Sequence, residues 1–165
     1  MLENLSIKNF VIVDHLELNF KGGFSALTGE TGAGKSILIG ALSLALGQRG
    51  ESGVVRHSTD KSDISATFNI QDNEYAQEWL KQNELESEEE SLFLRRVIYQ
   101  DGKSKGYING IPATISQLKS IGEFLIDIYS QNSHHSLLKN STQREILDNF
   151  AGLNKEVEEM KKLYD

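Results

Sequence analysis

The chain contains no cysteine, which excludes both a disulfide framework and a thiolate metal site. It has one proline, Pro112, so nearly all of its length is free to enter helices and strands. No apolar run approaches the roughly 20 residues that a membrane-spanning helix needs. Lys8 and Asp14 interrupt the apolar start, which also lacks the basic-then-apolar order of a signal peptide; a cytoplasmic setting is expected. Positive charge is scarce too: 17 Lys and Arg stand against 24 Asp and Glu, a formal net charge of -7. A domain that grips DNA alone usually presents a basic face, because phosphate neutralisation supplies most of the affinity. Any DNA affinity of this chain is therefore expected to be weak. Local basic spots at Arg95-Arg96 and Lys103–Lys105 read either as a charged hairpin in solvent or as a DNA contact. With 165 residues, 38% of them hydrophobic and 25% charged, the chain is an ordinary globular domain or one large lobe.

What is present is led by Gly29-Glu30-Thr31-Gly32-Ala33-Gly34-Lys35-Ser36, a complete phosphate-binding loop. Its glycines let the chain curl so that successive backbone N–H groups face phosphate oxygens. Lys35 reaches the β- and γ-phosphates, and the Ser36 hydroxyl holds Mg²⁺. The loop opens onto a helix whose N-terminal dipole favours an anion. Phe24–Thr28 before it reads as a short buried strand. Ile37–Leu46 after it is apolar nearly all round, as a helix packed on a sheet should be. Strand, loop and helix together predict binding of a nucleoside triphosphate.

Along the rest of the chain, Leu5, Ile7, Ile12, Leu16, Leu18 and Phe20 predict two strands running up to a Gly22-Gly23 turn. Residues 47–62 are polar and read as a loop. Ile64, Ala66, Phe68 and Ile70 alternate with polar residues, the mark of a half-buried strand. Glu74–Gln82 reads as a short helix with Tyr75 and Trp79 on one side, and the acidic stretch Glu84–Glu90 as a solvated connection. Leu92–Tyr99 and Lys105–Asn109 flank Gln100-Asp101-Gly102 and predict a hairpin; Asn109-Gly110 predicts another turn. Thr114 with Gln117 is a capping box for a helix reaching about Phe124, and Thr142 with Glu145 is a second one. Leu125–Tyr129 reads as a short buried strand. From there Ile146, Phe150, Leu153, Val157, Met160 and Tyr164 alternate spacings of four and three. That pattern fits a coiled-coil seam or a plain amphipathic helix, and the chain is expected to be cut in mid-helix.

A phosphate loop becomes an ATPase only with an acidic group on the Mg²⁺ side and something to orient the attacking water. Phe124-Leu125-Ile126-Asp127 superficially offers the acid. Gln131 is a candidate Mg²⁺ ligand that senses the γ-phosphate, or else a surface glutamine of a polar loop. His134 and His135 form no metal site, since adjacent histidines point different ways and no Cys, Asp or Glu stands at ligand spacing.

Several motifs occur in a fixed order: Leu5-Ser6-Ile7-Lys8-Asn9-Phe10, the loop Thr28–Ser36, Arg56, Gly102-Lys103-Ser104, Tyr107-Ile108-Asn109-Gly110, Ser116-Gln117-Leu118, Asp127-Ile128, Gln131, Ser136-Leu137-Leu138 and Leu147-Asp148 up to Gly152. In that order they resemble the N-terminal part of the bacterial RecN DNA repair proteins, relatives of the SMC proteins. The resemblance implies an α/β P-loop NTPase fold: the N-terminal lobe of an ABC/SMC-type head, with a mixed sheet, an antiparallel β portion and a helical C-terminal extension. Residues 1–150 would form the ATP-binding lobe and residues 151–165 the start of a truncated coiled-coil helix. It implies ATP and Mg²⁺ as ligands, with Gly29–Ser36 on the phosphates, Ser36 and Gln131 at Mg²⁺, and Lys8, Asn9 and Arg56 near the nucleotide. It also implies three partners: a C-terminal lobe of the same head, a second head in an ATP-dependent dimer, and DNA through the full protein near the nucleoid. That C-terminal lobe would supply the signature motif, the Mg²⁺-binding aspartate and the catalytic glutamate. No catalytic set is complete in this chain, since Leu-Ser-Gly-Gly and an apolar strand ending in Asp-Glu are both absent. Asn132 and His135 depart from the family pattern of a histidine and a glutamine at those places. Two other readings stay open: a self-contained phosphotransferase using Asp127, and a non-catalytic assembly module built on the heptad segment.

Overall fold

The computed structural model describes residues 1–28, 33–49, 53–87, 91–126, 128 and 140–164. It divides into two compact units, Met1–Asp127 and Ile128–Asp165.

The first unit is a six-stranded sheet with helices on its buried face. Its strands are β1 (Leu2–Phe10), β2 (Val13–Asn19), β3 (Lys61–Asn69), β4 (Ser91–Tyr99), β5 (Ser104–Ile108) and β6 (Ile111–Ala113), and its helices are α1 (Ala33–Ala45), α2 (Glu74–Gln82) and α3 (Ile115–Gly122). The strand order is β2-β1-β3-β4-β5-β6, and every neighbouring pair runs antiparallel. Alternation sets the faces. On β3, Ser62, Ile64, Ala66 and Phe68 are buried while the residues between them are half-buried. Register then aligns Leu5, Ala66, Leu94 and Ile108 in one row across four strands, and Ile7, Ile64, Arg96 and Gly106 in the next. One residue of slip would turn each row to the other face.

Helix α1 lies on β1, β3 and β4 and buries Ala41, Leu44 and Ala45; α3 lies on β5 and buries Leu118 and Ile121. Two glycines permit this closeness. A Cβ at Gly106 would stand 2.6 Å from Leu118 Cδ1, and one at Gly47, where α1 ends at φ +83, would stand 2.4 Å from Lys119 N. Both legs of the Thr114–Gln117 capping box form, with Gln117 N donating to Thr114 Oγ1 at 3.2 Å and Thr114 N to Gln117 Oε1 at 2.9 Å. Asn109 and Gly110 turn the chain at φ 50 and 79. The Asn109 side chain also accepts from Phe93 N at 2.9 Å and donates to Leu85 O at 2.8 Å. It thus pins the turn to β4 and to the segment after α2. Edge strand β6 carries Pro112 opposite Tyr107, a position where a missing N–H does no harm.

Three expectations need correction. Phe24–Thr28 is not a buried strand: it joins no sheet among the described residues, and Phe24 is 96% exposed. The described sheet consequently has only its antiparallel portion. Leu125 and Ile126 lie at a turn after α3, not in a strand, because the last carbonyls of α3 accept Leu125 N and Ile126 N through Gly122 O. Helix α2 forms as expected, with Ala76 and Leu80 buried and Tyr75 stacked on Phe124 at a ring-centroid distance of 6.5 Å. The heptad segment is two helices, α4 (Asn140–Ala151) and α5 (Asn154–Tyr164). Gly152 at φ +68 breaks them, the left-handed exit at which helices commonly end. Since α4 begins at Asn140, Thr142 does not head a helix.

Candidate functional site

Lys35 and Ser36 sit, exposed, in the first turn of α1, a turn that contains no acidic residue of its own. The four unsatisfied N–H groups of a helix start and the positive end of its dipole therefore meet no carboxylate of that turn. This arrangement suits an external anion, and the residue types suit a magnesium–phosphate group: an ammonium for phosphate oxygens and a hydroxyl for the metal. Gly29–Gly32, Asp127, Gln131, His134 and His135 lie outside the described residues.

A second cluster forms where β1 turns into β2. Phe10 pairs with Val13 on one side and bridges Val55 on the other. Val11 N donates to Val54 O at 2.8 Å and Arg56 N to Asn9 O at 2.9 Å. The buried Ser62 hydroxyl donates to Lys8 O at 3.1 Å. Lys8, Asn9 and Arg56, which the family resemblance places near the nucleotide, are thus stitched into one node. The node is strained: Asn9, Val11 and Ser58 all have φ between 51 and 67, and for a β-branched residue such as Val11 this region is costly. Strain of this sort persists only where surrounding bonds enforce it. Beside it runs an open groove of about 560 Å³ lined by Val11, Ile12, Arg56, His57, Ser58 and Thr59. Helix α1 rests on β1, the strand that carries Lys8 and Asn9.

Sequence reasoning missed Asp14. Its Oδ1 accepts from Arg56 Nη1 at 2.8 Å. The available signal was a lone carboxylate just beyond an apolar turn.

The basic spots of the β4–β5 hairpin resolve differently. Arg95 grips Asp63 through both Nε, at 2.8 Å, and Nη2, and lies over the Tyr107 ring. The hydrogen bond to Asp63 raises its pKa above the ordinary arginine value. Arg96 is 4% exposed and donates to Ser104 Oγ at 3.1 Å and, at 3.5 Å, to Leu44 O in the last turn of α1. A cation is favourable at that helix end, and α1 has no basic residue of its own there. Burial lowers the Arg96 pKa, and its Nε has no partner among the described residues. Lys103 pairs with Asp101 at 2.8 Å, and Lys105 lies over Tyr99. Each of these cations has a partner within the fold, which favours the structural reading of the hairpin.

An antiparallel sheet carrying a Gly-Lys-Ser helix start on its buried face is a fold this chain shares with solved SMC head domains. The chain belongs to the AAA domain family, whose model matches residues 4–165. It is 48% identical over 152 residues to the DNA repair protein RecN of Vibrio cholerae, covering 92% of this chain and 27% of that protein. It is 39% identical to the DNA repair protein RecN of Bacillus subtilis, covering 99% of this chain and 28% of that protein. The chain therefore spans about a quarter of the length of the curated relatives it matches. A solved chain from work on ATP-driven dimerization and DNA-stimulated activation of SMC ATPases superposes with a TM-score of 0.63 at 22% identity, covering 90% of this chain and 98% of that one. No helix among the described residues is long and apolar enough to cross a membrane.

Proposed function

We propose that this chain is the ATP-binding lobe of a RecN-like ATPase of DNA double-strand break repair and recombination. The observation that carries the reading is the start of α1: Lys35 and Ser36 stand in a first turn that holds no acid, directly after the glycine-rich loop. ATP lies with its phosphates on Gly29–Ser36 and Mg²⁺ on the Ser36 hydroxyl; the Mg²⁺ role of Gln131 belongs to the same proposal and rests on the family resemblance. Lys8, Asn9 and Arg56 stand near the same nucleotide, a placement that rests on the family resemblance. A C-terminal lobe covers the exposed Phe24–Thr28 segment and brings the transition-state electrostatics, without which bound ATP is held and not turned over. Two such heads close on ATP and part on hydrolysis, a population shift driven by γ-phosphate contacts, and DNA engages the full protein in the cytoplasm.

Calorimetric titration of Mg-ATP into this chain tests the proposal. Binding that Lys35→Ala weakens at least tenfold, with negligible turnover, is expected. Turnover of around one per second by the chain alone, in the ordinary enzyme range, would instead support the phosphotransferase reading.

A further inference from the structure

We infer that Asp14 is a positioning residue for Arg56, holding its guanidinium ready for the nucleotide. The inference rests on the placement of Arg56 at the nucleotide proposed above. Val13 and Val55 flank Phe10 from its two sides. Asp14 and Arg56, each the next residue along, reach across β1 to one another at 2.8 Å.

The Arg56 backbone needs no help from this pair. Its N–H is bonded to Asn9 O, and its carbonyl accepts from Thr59 N at 3.2 Å and Thr59 Oγ1 at 2.8 Å. What those bonds leave loose is the long side chain, which is 39% exposed beside an Asp14 side chain 75% exposed. An ion pair this open adds little to stability, so its effect falls on orientation. Asp14 occupies one Nη of the guanidinium. The planar fork keeps further N–H donors, at Nε and Nη2, that a phosphate or ribose oxygen could accept from while Asp14 stays in place. Val11 and Ile12 supply an apolar wall to the same groove. Freezing a rotamer-rich side chain before the ligand arrives removes that ordering cost from binding, equivalent to about three- to tenfold in affinity.

The test is a double-mutant cycle on this chain, read as the Kd for Mg-ATP, with thermal melting in the absence of nucleotide alongside. Asp14→Ala should weaken binding about three- to tenfold and leave the melting temperature of the free chain unchanged. Asp14→Glu should recover most of the loss. Asp14→Ala combined with Arg56→Ala should bind no more weakly than Arg56→Ala alone, because the two residues act as one. If Asp14→Ala tightens binding, the carboxylate merely repels phosphate and the inference is wrong. If Arg56→Ala weakens binding and Asp14→Ala does not, positioning fails while the nucleotide site stands. If neither weakens binding but Lys35→Ala does, Arg56 is not at the nucleotide and both placements fall.

Discussion

In Met1–Asp127 the large apolar side chains share an interior: Phe68, Ile64, Leu94, Ile108 and Leu118 have no exposed surface. In Ile128–Asp165, Phe150 is 91% exposed, and Leu147, Met160 and Leu163 also face outward. The sequence pattern is equally regular in both units, alternating on β3 and recurring every three or four residues on α4 and α5. The difference is one of partners. Strand β3 finds β1, β4 and α1 within the chain, whereas the apolar side chains just named on α4 and α5 are left uncovered. Phe24 belongs with the second group although it sits in the first unit. An apolar pattern reports that a face will be covered; it does not report by what.

That contrast can be broken from the buried side first. Phe68→Ala removes a fully buried ring and should cost about 3–5 kcal/mol, read as a drop of roughly 10 °C or more in melting temperature. Gly47→Ala forces a side chain into a left-handed backbone against α3 and should cost about 2–3 kcal/mol in chemical denaturation. A loss below about 1 kcal/mol would mean that the α1–α3 approach is not fixed. Phe150→Ser should sit at the other end, within about 0.5 kcal/mol of the parent, while reducing self-association at high concentration in size-exclusion chromatography. A clear loss of stability from Phe150→Ser would show that α4 has a cover in the free chain.

The sheet was largely legible in advance because alternation and turn chemistry act locally. Asn109-Gly110, the Thr114–Gln117 box and the β3 pattern each encode their own geometry. Arg96 was legible in principle: two consecutive strand residues take opposite faces, so one of Arg95 and Arg96 had to turn inward. The node joining Lys8, Asn9 and Arg56 was not legible, since it is held mainly by long-range backbone hydrogen bonds, which leave no local pattern in the sequence. Family resemblance named these three residues; local physics could not have placed them together. The break at Gly152 was hidden by heptad spacing that continues across it, because spacing records which residues are apolar and not whether the helix between them is unbroken.

Pro112 also bears on how readily a second strand could add to the sheet. An edge strand is a template for another chain's edge, and a row of free N–H groups is what makes it one. Strand β6 is three residues long, and its central residue has no N–H to offer. At the opposite edge, β2 carries Asp14 and Glu17, charges that oppose stacking of a second copy. Both described edges are therefore poor templates for another strand, which leaves the faces of the sheet as the better surfaces for contact.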